Sequence, residues 1–348
     1  MPLNGDESKT AVAEISLSLY SQPMSKFIYS FGVIVFGLTL GVVIQALVRS
    51  GRLRLSLPID DLRKLLQKIA LLGLNPIAII GAIWIVHVND ARLIALPFVG
   101  FFALLIGGVL ALGVARLLAL PPKKTGAMFG CGSFTNIGSI GALVCFIFLG
   151  EAGFALVPIY KIFEEVSYYS IGFPIAKYYS GSAENDSGAA SRLKSLIRDP
   201  FILVAVSSLI IGGLLNFSGI DRPIFYGQVN AVIVPLATIL LLTSIGLALR
   251  FSRISDYLRE SVSVSVIKFC LVPVCATALA WTIGFGDIEN ALPLKVVIIL
   301  SSMPVAFNAL IPPSIYDLDL DLANSCWFVT TALLVVVLPC LVLLLRYL

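Results

Sequence analysis

Gly130-Cys-Gly-Ser-Phe-Thr-Asn-Ile-Gly138 places small and polar residues in the middle of an apolar stretch at 124–149. A second run, Ser301-Ser-Met-Pro-Val-Ala-Phe-Asn308, does the same at 291–313 and is followed by Pro312-Pro313. Backbone groups that lose their helical partners cost several kcal/mol each in hydrocarbon. A bilayer protein keeps such breaks where they are buried in protein or line a cavity.

The composition assigns the chain to a lipid bilayer. Hydrophobic residues make up 58% of its 348 residues and charged residues 13%, with a mean hydropathy of +0.99. About 20 apolar residues span the hydrocarbon as a helix, so we predict an all-α integral membrane protein with ten transmembrane helices. These ten windows, called segments 1 to 10 below, lie near 27–48, 68–88, 92–115, 124–149, 152–176, 200–217, 227–249, 261–284, 291–313 and 322–346.

The cationic residues predict the orientation in the membrane. If the N-terminus is outside, 16 of the 24 Lys and Arg residues lie in or beside the inner loops and six lie on the outer side. Because Lys and Arg in short loops resist translocation, both termini are predicted on the non-cytoplasmic side of the inner cell membrane. Residues 1–26 carry Asp6 and Glu7 early and are predicted to be an extramembrane segment rather than a cleavable signal peptide.

Several classes of protein are excluded by what the sequence lacks. The net charge of +4 includes no concentrated basic, aromatic-rich patch, so no nucleic-acid partner is expected. No Walker A sequence is present, and His87 is the sole histidine, without evident partners for a metal. No pairing of a nucleophile with a base is evident. We therefore expect a protein that is not an enzyme and that holds no metal or cofactor.

A polar linker at 180–199 divides the chain into two halves of five segments, 27–179 and 200–348. Arg92-Leu-Ile-Ala-Leu-Pro97 in segment 3 puts a cation five residues before a proline, and Lys268-Phe-Cys-Leu-Val-Pro273 in segment 8 repeats that spacing. The two breaks also fall in corresponding segments, 4 and 9. Since each half has an odd number of segments, the second half would be inverted relative to the first, as in many secondary transporters.

The two asparagines in the breaks are the first candidates for a binding site. A carboxamide offers two donors and two acceptor lone pairs, so Asn136 and Asn308 could hold a carboxylate or satisfy the broken backbone. Gly138 permits a close backbone approach, and the half-helices would direct their positive N-termini at an anion. Ser133 and Thr135 add hydroxyl groups at the same depth, whereas Phe307 is expected to pack. We predict an anionic substrate.

Charged residues at bilayer depth are the second set of candidates. Lys161 precedes Glu164 by three residues and Glu165 by four, so one helical face can pair the lysine with either acid. One interpretation is an internal ion pair with a second acid at the interface; the other is a proton or cation site near the break. Lys268 in segment 8 is expected to extend its ammonium to the cytoplasmic edge of the membrane.

Three stretches of the chain resemble the auxin efflux carrier family, which includes the PIN proteins. Phe134-Thr-Asn136-Ile-Gly138, running on to Phe148-Leu-Gly150, is similar to the family's fourth-helix motif. Met303-Pro304-Val-Ala-Phe-Asn308 is similar to the ninth-helix motif, and 235–249 resembles the seventh helix. The chain departs from the family pattern at Gly141-Ala142, where a proline is usual, and at the double proline noted above.

The resemblance implies a five-plus-five inverted repeat of the bile-acid/auxin/arsenite transporter type, with a fold like that of NhaA-type antiporters and bile-acid symporters. Helices 1, 2, 6 and 7 would form a scaffold domain, and helices 3–5 and 8–10 a transport domain. Helices 4 and 9 would cross at the substrate site, where Asn136, Pro304 and Asn308 would line or shape it. Known members carry carboxylate-bearing anions, and the plant carriers form dimers, so a homodimer is possible here.

Taken together, the sequence predicts a secondary carrier for a small organic anion, auxin-like or a dicarboxylate, that slides its transport domain against the scaffold in an elevator mechanism. The alternatives are a ligand-sensing membrane protein of the same fold and an ion-coupled symporter of larger amphipathic anions. Proton or sodium coupling would involve Lys161, Glu164 and Glu165. The predicted substrate-binding residues are Ser133, Thr135, Asn136, Gly138, Pro304, Asn308 and Pro312.

Overall fold

The computed structural model describes residues 23–85, 90–181, 200–249 and 254–348. Within these ranges the regular elements are helices, and the one β contact is an isolated antiparallel bridge between Thr135 and Val305. The predicted N-terminal segment up to residue 22, His87 and most of the linker at 180–199 lie outside the described residues.

Six of the predicted segments form helices without a break between helical stretches. They are Pro23–Arg49, Ile59–Ile85, Ala91–Leu117, Pro200–Phe217, Tyr226–Gly246 and Ile254–Thr282, for segments 1, 2, 3, 6, 7 and 8. Segment 10 consists of Leu320–Ala332 and Leu334–Leu344, which are bent by 47° relative to each other.

By length and composition, six helices in the described part of the chain can cross a membrane, or seven if the bent pair counts as one span. The chain is therefore an integral, multi-pass helical membrane protein. These six helices include the stretch Ile137–Ser180, which joins the second part of segment 4 to segment 5, and they leave out segment 6, whose apolar part Leu203–Phe217 is too short. The count is smaller than the predicted ten because Ile137–Ser180 counts once and the short helices of segment 9 do not qualify. Ten spans and an inverted repeat stay predictions.

Segments 4 and 9 are broken within the predicted runs 130–138 and 301–308. Segment 4 begins as the helix Pro122–Ser133, becomes extended, and resumes as the π-helical turn Ile137–Gly141 and the helix from Ala142. Segment 9 consists of Leu292–Ser301, the 3-10 turn Phe307–Leu310 and the short helix Ile311–Ile315. The polar and proline-containing runs therefore end helices inside both segments.

Segment 5 carries a further interruption that the sequence did not reveal. The helix Ala142–Tyr160 turns at Gly150, whose φ of 73° lies in the left-handed region that favours glycine, and this turn separates segment 4 from segment 5. A second turn follows at 161–163, where the backbone N–H of Glu164 bonds to the carbonyl of Lys161 at 2.8 Å. The helix then continues over 164–180.

Packing sorts the segments into two groups. Segments 1, 2, 6 and 7 form the first group, in which segments 1 and 7 approach so closely that a Cβ added to Gly246 would lie 2.3 Å from the carbonyl oxygen of Leu38. Segments 3, 4, 5, 8 and 9 and the first helix of segment 10 form the second group, whereas the second helix of segment 10, Leu334–Leu344, packs against segment 1. There a Cβ on Gly107 would lie 2.3 Å from the carbonyl oxygen of Gly132. Small residues thus let backbones pack in both groups.

Candidate functional site

The two helix breaks meet inside the second group. The backbone N–H of Asn136 donates to the carbonyl of Pro304 at 2.9 Å, and the N–H of Ala306 donates to the carbonyl of Phe134 at 3.0 Å. Thr135 and Val305 therefore pair as residues of antiparallel strands do. Each break supplies hydrogen-bond partners that the other lost when its helix ended, which reduces the cost of both.

Asn136 caps the half-helix that starts at Ile137. Its Oδ1 accepts hydrogen bonds from the backbone N–H of Ile140 at 3.3 Å and from the hydroxyl of Ser139. Because a backbone N–H only donates, the bond from Ile140 identifies which amide atom is the oxygen. The Nδ2 of Asn136 is buried and has no hydrogen-bond partner among the described residues. Such a donor costs about 1–3 kcal/mol until it meets an acceptor.

A cavity of about 470 Å³ lies beside this meeting point. Its volume is in the range of small-molecule binding sites. Residues from both helix groups line it: Gln67 and Ser244 belong to the first group, and Phe154 to the second. The predicted site residues that reach the cavity are Thr135, Asn136, Gly138, Lys161, Glu164, Glu165 and Asn308.

Three residues predicted to bind substrate do not line this cavity. The hydroxyl of Ser133 instead donates to the carbonyl of Leu104 at 3.0 Å, because the helix that ends at Ser133 packs against segment 3. Pro304 contributes its carbonyl to the meeting of the breaks, and Pro312 is buried in the short helix Ile311–Ile315. Ser133 and Pro304 thus shape the backbone around the cavity.

The two asparagines have unlike surroundings. Asn136 is buried, whereas Asn308 is exposed at the start of the second half of segment 9. The neighbouring Phe307 packs as expected, and it also lines the cavity. Its ring lies 5.7 Å from the guanidinium of Arg63, a cation–π contact, and forms an edge contact with Trp327.

Lys161 and Glu164 form an ion pair at 3.0 Å on the cavity wall. The carboxylate is 5% exposed, and its other oxygen accepts a hydrogen bond from the hydroxyl of Tyr168 at 2.6 Å. A Cβ added to Gly138 would lie 3.0 Å from the Nζ of Lys161, so this glycine leaves room for the ammonium beside the broken helix. The turn at 161–163 therefore places the ammonium of Lys161 beside the break in segment 4.

The expectation for Lys268 is wrong. Its side chain is fully buried rather than extended to the membrane edge. Its Nζ donates to the hydroxyl of Thr135 at 2.6 Å and to the carbonyl of Ser133 at 3.4 Å. The carbonyl end of the helix Pro122–Ser133 carries the negative end of a helix dipole, which favours a cation at this place. The sequence pattern of segment 8 does not show that Lys268 faces the break in segment 4.

Sequence reasoning also missed contributions from other segments. Tyr168 lies with its ring stacked on Phe134, at 3.9 Å between centroids, and places its hydroxyl between Glu164 and the first break. Gln67 in segment 2 donates to the hydroxyl of Ser244 at 3.0 Å, and both line the cavity. The sequence feature that could have identified Gln67 and Tyr168 is a polar side chain on an otherwise apolar segment.

Among the residues that the structure describes, no cluster of three or more His, Cys, Asp or Glu could hold a metal ion.

Comparison with known proteins finds two archaeal relatives. The chain is 25% identical over 250 residues to an uncharacterized transporter of Methanothermobacter thermautotrophicus, which covers 71% of this chain and 77% of the relative. It is 27% identical over 246 residues to an uncharacterized transporter of Methanocaldococcus jannaschii, covering 68% of this chain and 74% of the relative. No family model matches the chain.

Proposed function

We propose that the protein is a secondary membrane carrier whose solute, a small organic anion, binds in the cavity beside the meeting of segments 4 and 9. Two relatives named as transporters support the carrier assignment. The main support for this binding site is the Nδ2 of Asn136, a buried donor that has no hydrogen-bond partner in the described part of the chain. Asn136 caps the half-helix that follows the break in segment 4. We propose no catalysis and no bound cofactor.

The lining of the cavity favours an anion with an apolar body. Asn136 offers an N–H donor, and the ammonium of Lys161 lies close to Gly138 on the same wall. A carboxylate would accept from such donors, since hydrogen bonds to charged acceptors are the stronger ones. Leu71, Phe154 and Leu209 supply apolar surface to the same cavity. A monocarboxylate with a ring or short alkyl body, or a small dicarboxylate, suits this combination.

Movement of one helix group against the other is the proposed transport step. The cavity is lined by both groups, so sliding of the second group would carry the broken helices past the wall that contains Gln67 and Ser244. The paired breaks would travel as one unit because hydrogen bonds join them. This is an elevator mechanism, with the first group as scaffold. The proposed homodimer and the outside position of both termini stay predictions.

Coupling to protons or sodium ions is proposed to use Lys161, Glu164 and Glu165. Glu164 is buried beside the cavity, accepts from Tyr168 and pairs with Lys161, so a proton or cation that binds there would replace the ion pair with Lys161. An ionisable group at this depth is by default part of a pathway or relay.

Purified protein should be screened by thermal shift against a panel of carboxylates, and the best hit then tested for saturable flux in proteoliposomes. Asn136→Ala is expected to weaken binding of that hit at least tenfold, and Asn308→Ala to weaken it less, because Asn308 is exposed. Asn216→Ala is the matched control, since its amide donates to the carbonyls of Ile83 and Trp84, away from the cavity.

Unchanged affinity in folded Asn136→Ala would overturn the proposed site. Binding without flux would favour the ligand-sensing alternative over the carrier. Flux that ignores imposed pH and sodium gradients would remove the coupling hypothesis and leave the binding site intact.

A further inference from the structure

An acidic residue outside the cavity joins the two helix groups. Glu151 follows directly after the turn at Gly150, at the start of segment 5. Its carboxylate pairs with the guanidinium of Arg222 through two contacts, Oε1 to Nη1 at 2.9 Å and Oε2 to Nη2 at 2.8 Å. The Nδ2 of Asn230 donates to the same Oε1 at 2.6 Å. Three short bonds on one carboxylate, two of them bidentate, form a strong and directional contact.

The partners of Glu151 are fixed to the first group. Arg222 lies in the turn between segments 6 and 7, and its Nη1 also donates to the carbonyl of Gly81 in segment 2 at 3.0 Å. Its guanidinium lies 5.8 Å from the ring of Tyr226. Asn230 is fully buried in segment 7. Glu151 and Arg222 are only 18% and 11% exposed, so solvent screens their attraction weakly.

A second donor from the first group reaches the same turn. The Nζ of Lys26 in segment 1 donates to the carbonyl of Phe148 at 3.1 Å, just before Gly150. The turn between segments 4 and 5 is therefore held by side chains from segments 1 and 7 and from the turn between segments 6 and 7. A Cβ added to Gly150 would meet nothing within 4 Å, so the turn is held by these side-chain contacts and not by close packing around the glycine.

Other ion pairs in the described ranges join residues within one group. Lys124 pairs with Glu260 at 3.3 Å, and Arg92 approaches Asp287 at 3.6 Å, and all four residues belong to the second group. The contact of Glu151 with Arg222 and Asn230 differs because relative movement of the groups must break it. We propose that these three residues form a latch that holds the present arrangement of the two groups and opens when they move. This inference rests on the proposed carrier mechanism.

A thiol next to the latch can report its opening. A Cβ added to Gly227 would lie 3.7 Å from Oε2 of Glu151 and 3.6 Å from Nη2 of Arg222. Gly227→Cys therefore places a probe for maleimide against the closed latch. The exposed or half-buried cysteines, Cys270, Cys275 and Cys340, are replaced by alanine to lower the background, while the buried ones stay.

In this background Glu151→Gln is expected to raise the labelling rate at least tenfold, because it removes the charge and keeps the shape. Arg222→Gln should give the same increase from the other side of the pair. The exchanged pair, Glu151→Arg with Arg222→Glu, should bring the rate back toward that of the parent. Glu260→Gln is the control, since it removes a buried acid that pairs within one group.

Equal labelling of the parent, Glu151→Gln and Arg222→Gln would overturn the latch, as would an equal rise in Glu260→Gln, which would indicate general loosening. If neither single variant folds, the pair is a requirement for folding and the latch is wrong. The labelling needs no solute, so its failure is separate from failure of the carrier. A functional carrier with unchanged labelling would reject the latch alone.

Discussion

At the end of the molecule where Gly150 lies, an ion pair joins the two helix groups, whereas at the end where Lys123 lies the described ion pairs stay within one group. Glu151 reaches from the second group to Arg222 in the first. At the other end, Lys124 pairs with Glu260, and the hydroxyl of Tyr257 donates to Asp319 at 3.1 Å, all within the second group. We infer that the second group is held rigid at the Lys123 end, and that the contact between the two groups at the Gly150 end can break and re-form.

If the first group is rigid, a substitution that disturbs its close backbone contact should lower stability more than the loss of any ion pair at the Lys123 end. Gly246→Ala would place a Cβ 2.3 Å from the carbonyl oxygen of Leu38 and 2.9 Å from the Cα of Gly41. Backbone atoms cannot yield as a side-chain end can, so we expect a loss of about 3 kcal/mol or more. The measurement is the monodisperse fraction in size-exclusion chromatography together with the melting temperature.

Gly213→Ala is the matched control for this substitution, because a Cβ there would meet nothing within 4 Å. Equal melting temperatures for the two variants would show that segments 1 and 7 can separate. The first group could then no longer serve as a fixed scaffold.

Loss of an ion pair at the Lys123 end should reduce stability without releasing the groups. Lys124→Ala leaves the carboxylate of Glu260, 9% exposed, without its cation, while Lys124 itself is 29% exposed. Partial solvent screening lowers the expected loss to about 1–2 kcal/mol. The melting temperature should fall accordingly. In the Gly227→Cys background, the introduced thiol should react with maleimide at the same rate as in the parent. Faster labelling would contradict the proposed difference between the two ends.

The smallest effect is expected from the exposed pair of Lys123 and Asp317. The ammonium of Lys123 holds the pKa of the Asp317 carboxyl below its ordinary value. Its stabilising contribution is therefore complete above the ordinary carboxyl pKa and is lost as the pH falls through the lowered one. Asp317→Asn should leave the melting temperature at pH 7 nearly unchanged and flatten its decline only in the acid range. A clear drop at pH 7 would show that this loop contributes to rigidity.

The sequence predicted the helical class and the positions of the breaks because hydrocarbon imposes strict rules on the backbone. Apolar windows mark the helices, and polar or proline-containing runs end them at Ser133 and Ser301. The turn at 161–163 was not predicted, since Lys161-Ile-Phe contains no residue that commonly ends a helix. The division into two helix groups was an expectation from the family resemblance, because the apolar pattern by itself does not show which segments pack together.

Part of the candidate site was predictable because polar and charged residues are rare at bilayer depth. Asn136 and Lys161 stand out as polar or charged residues at bilayer depth, and both line the cavity. Lys268 stands out equally, but its contact with Thr135 depends on how segment 8 is rotated against segment 4. The pairing of Glu151 with Arg222 likewise joins residues 71 positions apart. Such contacts follow from packing between distant segments, which one sequence does not encode in a readable pattern.

The bonds that join the two breaks run between main-chain atoms, from Asn136 to Pro304 and from Ala306 to Phe134. A change of side chain at Thr135 or Val305 therefore leaves the donors and acceptors of this joint in place. The joint can thus stay the same while the surrounding side chains diverge. Distant relatives could in this way share one mechanical core and differ in the solute they admit, because selectivity and mechanics reside in different atoms.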